Sequence, residues 1–395
     1  MTGCMGKAVL LAWLCLAVST SAAHAADVAI SIGYLRHETV PPPVLSNLDP
    51  LPADLGIAGA RLAIEDNRTT GLFLGHTYAL DLVSVPPEGD FIAAAQSLLA
   101  KVRVVLVDAA PGEMTELADL PEARDALLFN VASGEAGLRQ EGCRANLLHT
   151  VPEGAMLTDA LMEVLKAHHW ENLALLTGPT AEDAAYATLL KASAAKFGLI
   201  IEAEKAWATT ADIRLSATEE VPRLTQDLPE HQVLVVADAR DDFARYVEHN
   251  TWLPRPVAGG SGLVAKGWSA ELEQWGAAQL QSRFARQAAR KMRPRDYAAW
   301  VAVRAAGEAV TRTGKADAPD IRSFLLSDTF NLDGFLGVPL SFRGWNGQLR
   351  QPIPVGNARA VVETAPAEGF LHAVNPLDSL GFDEPESRCT AFNRE

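Results

Sequence analysis

Apolar positions along this chain follow two spacings that take turns. "VAISIGYL", from Val28, reads as a strand, and "LGIAGARLAIEDNRTT" then places Ile57, Ala60 and Ile64 on one helical face, with Gly71 as the stop. Asp54 is the expected cap of that helix. "TYALDLVSV" is the next strand and "DFIAAAQSLLA" a helix. "VRVVLVD" is a buried strand, followed by a weaker helical segment near 113–120 and the strand "ALLFNVAS". Strands separated by single helices imply right-handed crossovers and a parallel sheet.

The series starts again at Pro152. Leu157, Leu161, Val164 and His168 share the face of a helix expected to end near Trp170. "NLALLTG" is an apolar strand, 182–197 a helix and "LIIEAEKAW" a strand; a short helix near 218–226 leads to "QVLVVAD", and a further helix to "RPVAGGSG". From 295 comes a long helix, "RDYAAWVAVRAAGEAVTRTG", then another at 318–327. Hairpin-like strands follow in "LSFRGWNGQLRQPIPVGNARAVVE", and the chain closes on an acidic, proline-rich tail. The expected fold class is α/β, with two Rossmann-like lobes in series, each built on a parallel central sheet.

The first 25 residues stand outside this pattern. Lys7, the apolar run "AVLLAWLCLAV" and the small-x-small triplet Ala23-His24-Ala25 have the form of an export leader, and the run is too short to span a bilayer comfortably. Cleavage would leave about 370 residues beginning at Ala26, enough for two domains of ordinary size. The full chain carries 34 basic and 49 acidic residues, a net charge of −15. Such a surface repels nucleic acid and anionic lipid, so neither is an expected partner. Of the 4 cysteines, Cys143 and Cys389 survive cleavage. An oxidising compartment favours a disulfide between them over two separate buried thiols.

In open α/β sheets, ligands collect outside the carboxyl ends of the strands. The first strand ends there in Tyr34, Arg36, His37 and Glu38, the third in Asp108, the fourth in Ser133 and Glu135. Arg36 either grips a ligand carboxylate or phosphate through two parallel hydrogen bonds or neutralises a neighbouring carboxylate. Tyr186 and Asp238 follow strands of the second lobe, and Trp268 either stacks on a ligand or packs between elements. Glu38, Asp108 and Glu135 offer oxygens to a hard cation, but Arg36 opposes one and no EF-hand pattern exists. "GSGLVA" at 260–265 matches a permissive dinucleotide fingerprint without the helix that should follow it. No nucleophile elbow, phosphate loop or zinc-protease motif appears. The expectation is a ligand-binding rim with no catalytic residues, metal or cofactor.

"YLRHE", "AGARLAIEDNRTTG", the second-lobe opening "TDALMEVLKAHHWENLALLTG", "EGCRAN" and the tail "NPLDSLGFDEPESRC" complete the picture. Together with the order of elements they resemble type I periplasmic substrate-binding proteins of branched-chain amino-acid ABC transporters. More narrowly they resemble the subfamily associated with PQQ-dependent alcohol dehydrogenase systems. The resemblance implies a periplasmic protein whose lobes close about a hinge on a small molecule and present it to an inner-membrane ABC permease. PQQ-dependent alcohol dehydrogenase components are further implied partners, and the alternative role is a sensor or accessory protein without transport. On that pattern lobe 1 comprises 26–150 plus about 255–328, lobe 2 comprises 151–254 plus about 329–365, and 366–395 is a tail. One departure matters. Amino-acid binders of this family follow the third strand with a Gly/Ser-rich loop, whereas this chain reads "VDAAPGEM" and the second-lobe Asp–Tyr–Gly stretch is only echoed by Asp183, Tyr186 and Ala187.

Overall fold

The computed structural model describes residues 28–40, 50–207 and 213–392; the leader with its cleavage site lies outside them. A first sheet is formed by β1 (Val28–His37), β2 (His76–Val85), β3 (Val104–Asp108), β4 (Leu127–Asn130) and β5 (Leu147–His149). Its order is β2-β1-β3-β4-β5, and every pairing is parallel. All residues of β3 and β4 are buried, which is why they read as near-continuous apolar runs. Helix α1 (Ile57–Gly71) covers one face of the sheet; α2 (Phe91–Leu99) and α3 (Pro111–Asp119) cover the other. The short β5 was not expected, because three residues carry too little periodicity to be recognised.

The second sheet alternates in the same way. Its elements are α4 (Gly154–Ala167), β6 (Asn172–Thr177), α5 (Ala181–Lys196), β7 (Ile200–Ala206), α6 (Ile213–Thr225), β8 (Val233–Ala237), α7 (Ala244–Val247) and β9 (Val257–Gly259). The strands lie parallel in the order β7-β6-β8-β9. The chain continues through β10 (Val264–Ala265), α8 (Ala277–Ala288), α9 (Pro294–Thr313) and α10 (Ala318–Leu325). It ends in an antiparallel pair, β11 (Ser341–Phe342) with β12 (Leu349–Arg350), and a second pair, β13 (Ile353–Gly356) with β14 (Val361–Ala365).

The start of α1 differs from its sequence signature. Asp54 does not cap it with its side chain; that carboxylate accepts from Arg290 Nε at 3.0 Å. The residue before the helix is Gly56 at φ 80°, and its N–H donates to Asp296 Oδ1 at 2.7 Å. A Cβ at Gly56 would sit 2.1 Å from the Tyr34 hydroxyl, so both the backbone conformation and the space demand glycine. The entry to α1 is thus fixed by α9, far along the chain.

The division between the two bodies also departs from the sequence boundaries. β9 completes the edge of β8, so the second sheet runs past 254. Phe330, Leu332, Leu336, Leu340, Phe342 and Leu349 pack in the first core, whereas Ile353, Val355 and Ala365 pack in the second. The segment assigned as a whole to lobe 2 is therefore split between β12 and β13. The tail crosses as well. Leu380 belongs to the second core, while Cys389 and Phe392 belong to the first.

A buried polar network occupies these crossings. Arg139, fully buried, donates to Gln348 Oε1 at 2.8 Å, to the carbonyls of Ser133 and Glu135 at 2.9 Å, and to that of Val151 at 3.0 Å. Burial holds its guanidinium down to about 10, partly offset by Glu153 and Glu135. Arg343 is equally buried; it donates to Asp378 at 2.9 Å and to the Leu380 carbonyl at 2.6 Å.

Glu163 on α4 yields a pH prediction. One carboxylate oxygen accepts from Ala367 N at 2.5 Å and the other has no partner. Burial raises its pKa from 4.5 to about 7, the Ala367 N–H opposing the rise. The folded state then binds this proton more tightly than the unfolded chain. Its contribution is fully present below 4.5 and is lost as pH rises through about 7, a change on the order of 3 kcal/mol. Buried His149, its pKa pushed well down by burial and by Arg139, acts in the opposite direction below 6.5, so a difference measurement is needed. Glu163→Gln should match the parent near pH 4 and exceed its stability by about 2–3 kcal/mol at pH 8, read by paired urea titrations.

Candidate functional site

The carboxyl ends of β1, β3 and β4 bring together the side chains of the first rim. In the parallel register Arg36 lies opposite Asp108, and the two side chains meet, Arg36 Nε standing 3.6 Å from Asp108 Oδ2. Tyr34 OH donates to the same oxygen at 3.1 Å. The other oxygen, Oδ1, receives Arg295 Nη1 at 3.1 Å. Arg36 also donates through Nη1 to the Ala53 carbonyl at 2.7 Å. Burial, and then the Asp108 charge, push the Tyr34 phenol well above 10, which keeps it a neutral donor.

Arg295 was not anticipated from the sequence. It stands 187 positions from Asp108, in the first turn of α9, and reaches the rim because Asp296 beside it is locked to Gly56 and Arg290. Nothing local marks this pairing, since an arginine in a first helical turn reads as an ordinary solvated residue.

The remaining first-lobe positions are placed differently from one another. His37 stacks on Phe91 with ring centroids 5.5 Å apart, and its Nδ1 pairs with Glu113 Oε1 at 2.5 Å. Glu38 is exposed and accepts from Ser84 Oγ at 2.6 Å, on the β2 side. Ser133 forms a turn, its Oγ accepting from Glu135 N at 3.2 Å, and the Glu135 side chain is exposed. On the second sheet Asp238 is buried and accepts from the backbone N–H groups of Asp242, Phe243 and Ala244 at 3.0, 2.8 and 2.8 Å. Asp183 is used in the same way, by Thr180 N at 3.0 Å and Ala239 N at 2.7 Å. Tyr186 is half-buried, its phenol pushed up by burial and by Asp238.

Trp268 is a correction. Only 1% exposed, it stacks on Tyr297 at 4.7 Å inside the first core and is not brought to the rim. Its apolar ring gains more from that core than from a position in the cleft.

Electrostatics then separate the two rims. In the first, Arg36 and Arg295 face a single buried carboxylate, Asp108, so the group carries one positive charge in excess. In the second, the buried carboxylates are spent on backbone donors. Cavities among the described residues also lie elsewhere; one of about 500 Å³ is lined by Asp66, Arg283, Trp300, Arg304 and Phe335. Within it Trp300 Nε1 donates to Asp66 at 2.9 Å, and Arg283 pairs with the same carboxylate.

No protein-family model matches the chain, and no curated protein matches it either. Solved structures do. A branched-chain amino-acid ABC transporter periplasmic ligand-binding protein from Burkholderia xenovorans LB400 superposes with a TM-score of 0.67 at 15% identity, covering 93% of this chain and 100% of that one. A branched-chain amino-acid transporter substrate-binding protein from Streptococcus pneumoniae, in complex with isoleucine, gives 0.59 at 14% identity, over 85% of this chain and 98% of that one. An ABC transporter solute-binding protein from Rhodopseudomonas palustris BisB5, in complex with 3,4-dihydroxybenzoic acid, gives 0.56 at 13%, over 83% and 92%. The fold of this chain is that of the type I periplasmic binding proteins.

Proposed function

We propose that this chain is the extracytoplasmic solute-binding component of an ABC transporter, capturing a small molecule between its two lobes for delivery to an inner-membrane permease. The observation that supports this reading is the pair of guanidinium groups, Arg36 and Arg295, set at the carboxyl ends of parallel strands on buried Asp108, with buried Tyr34 beneath it. The second-lobe segments after β6 and β8, with Tyr186 on α5 and the Asp238 turn, are the proposed opposing wall. The motifs "YLRHE" and "EGCRAN" and the tail further favour a role beside PQQ-dependent alcohol oxidation in the periplasm, after removal of the leader before Ala26. The role assigned to the site is binding without turnover.

Protein purified from the periplasm without denaturation should release one dominant small molecule, detected by mass spectrometry. Adding it back at about 100 times its dissociation constant should contribute about 2.7 kcal/mol to apparent stability, visible as a thermal shift. Conversion of the compound by the pure protein, or a compound that leaves the melting temperature unmoved, would overturn the reading.

A further inference from the structure

The charge balance at the strand ends bears on which solute fits. Asp108 is 4% exposed and already accepts hydrogen bonds from Tyr34 and Arg295, with Arg36 paired to it at 3.6 Å. It therefore has little capacity left to bind an ammonium group. Asp183 and Asp238, the buried carboxylates of the opposite loops, each hold two or three backbone N–H groups. Glu113 is engaged by His37 and by Ala110 N at 3.1 Å, and Glu38 by Ser84. Of the carboxylates without such partners, Glu135 and Asp242 are exposed, and Glu153 is fully buried in the fields of Arg139 and Arg343.

The donors tell the opposite story. Among the described residues, Arg36 Nη2 and both Nε and Nη2 of Arg295 have no protein acceptor. The Arg295 side chain is 38% exposed and that of Arg36 is 14% exposed. These are planar guanidinium edges held in place through Asp108, with hydrogen-bonding capacity left over. Closing a lobe over them removes water and makes their excess charge costly unless an anion arrives. A single negative charge balances the group, whereas a dianionic phosphate would overshoot.

Resting on the binding-protein reading, we propose that the solute is an organic monocarboxylate without an α-ammonium group, its carboxylate held by Arg36 and Arg295. Asp108 is then a positioning residue. It fixes both guanidinium groups and competes with the ligand for them.

The test is isothermal titration of the full exported chain with matched pairs: benzoate and phenylalanine, 4-methyl-2-oxopentanoate and leucine, hexanoate and norleucine. At least one carboxylate should bind about tenfold or more tightly than its amino counterpart, and Arg36→Ala and Arg295→Ala should each weaken it by about tenfold or more. Asp108→Asn keeps a hydrogen-bonding side chain but removes the competing charge, so it should tighten carboxylate binding severalfold. A purely structural role for Asp108 predicts weakening instead. Melting curves without ligand show whether each variant is folded, and Arg295→Lys replaces Arg295→Ala if that variant is not. An amino acid that binds as well as its partner acid, loss of that binding in Glu135→Gln or Asp242→Asn, or no binding by any probe overturns the assigned ligand class. The transport reading stands or falls separately, on the compound released from the native protein.

Discussion

Replacing Cys389 with serine is expected to lower the stability of the protein by several kcal/mol. Cys143 and Cys389 are bonded across a separation of 246 residues. Cross-linking a loop of that size removes unfolded-state freedom worth about 5 kcal/mol at most, and native disulfides commonly give 2–5. What makes the loss felt here is the route of the tail. Leu380 lies in the second core, where Lys196 of α5 takes the carbonyls of Ser379 and Gly381 at 2.8 and 3.0 Å, while Arg343 at the crossing takes the Leu380 carbonyl. Beyond them Arg388 N donates to Gln140 Oε1 at 2.7 Å, and Phe392 enters the first core. The bond thus pins a strap that runs from one body to the other. Guanidinium titrations of the parent and of Cys389→Ser, with non-reducing peptide mapping as a control, would measure the effect. Equal midpoints, with the bond intact in the parent, would show that the tail contributes nothing through it.

Gly59→Ala is expected to be nearly as severe, although it adds a single methyl group. A Cβ at Gly59 would lie 1.8 Å from the Asp296 carbonyl oxygen, 2.6 Å from its carbon and 2.9 Å from its Cα. All three atoms are backbone, so no rotamer change relieves the overlap and α1 must move away from α9. Overpacking of this kind costs about 1–3 kcal/mol and occasionally more; a backbone clash belongs at the upper end. The damage should reach the rim as well. Asp296 holds Gly56 and Arg290, and its neighbour Arg295 reaches Asp108 only while α9 keeps its place. The variant should therefore lose about 3 kcal/mol by urea titration, and weaken ligand binding where it still folds. Gly112→Ala is the control, because nothing lies within 4 Å of the added atom.

The two lobes were legible because buried parallel strands announce themselves as apolar runs, and the helices between them by their period. Tyr34, Arg36 and Asp108 were legible together for a related reason: each sits at the end of such a run, and the register of β1 against β3 does the rest. Arg295 was not, since its partner is chosen by helix packing between distant segments and not by local pattern. Trp268 was ambiguous from sequence, as an aromatic residue suits a cleft and a core equally; its stacking on Tyr297 places it in the core. The crossings were misplaced because "VAGG" and "LSFRGWNG" carry no mark of which sheet they join. The cysteine pairing followed from the compartment implied by the leader.

Hydrogen exchange followed by mass spectrometry, with and without the compound released from native protein, tests interlobe capture most directly. The account predicts slowed exchange at once in peptides covering 34–38 and 108–113 of the first lobe and 178–187 and 238–244 of the second. Protection confined to one lobe, or centred on the cavity of Asp66, Arg283 and Trp300, would contradict it.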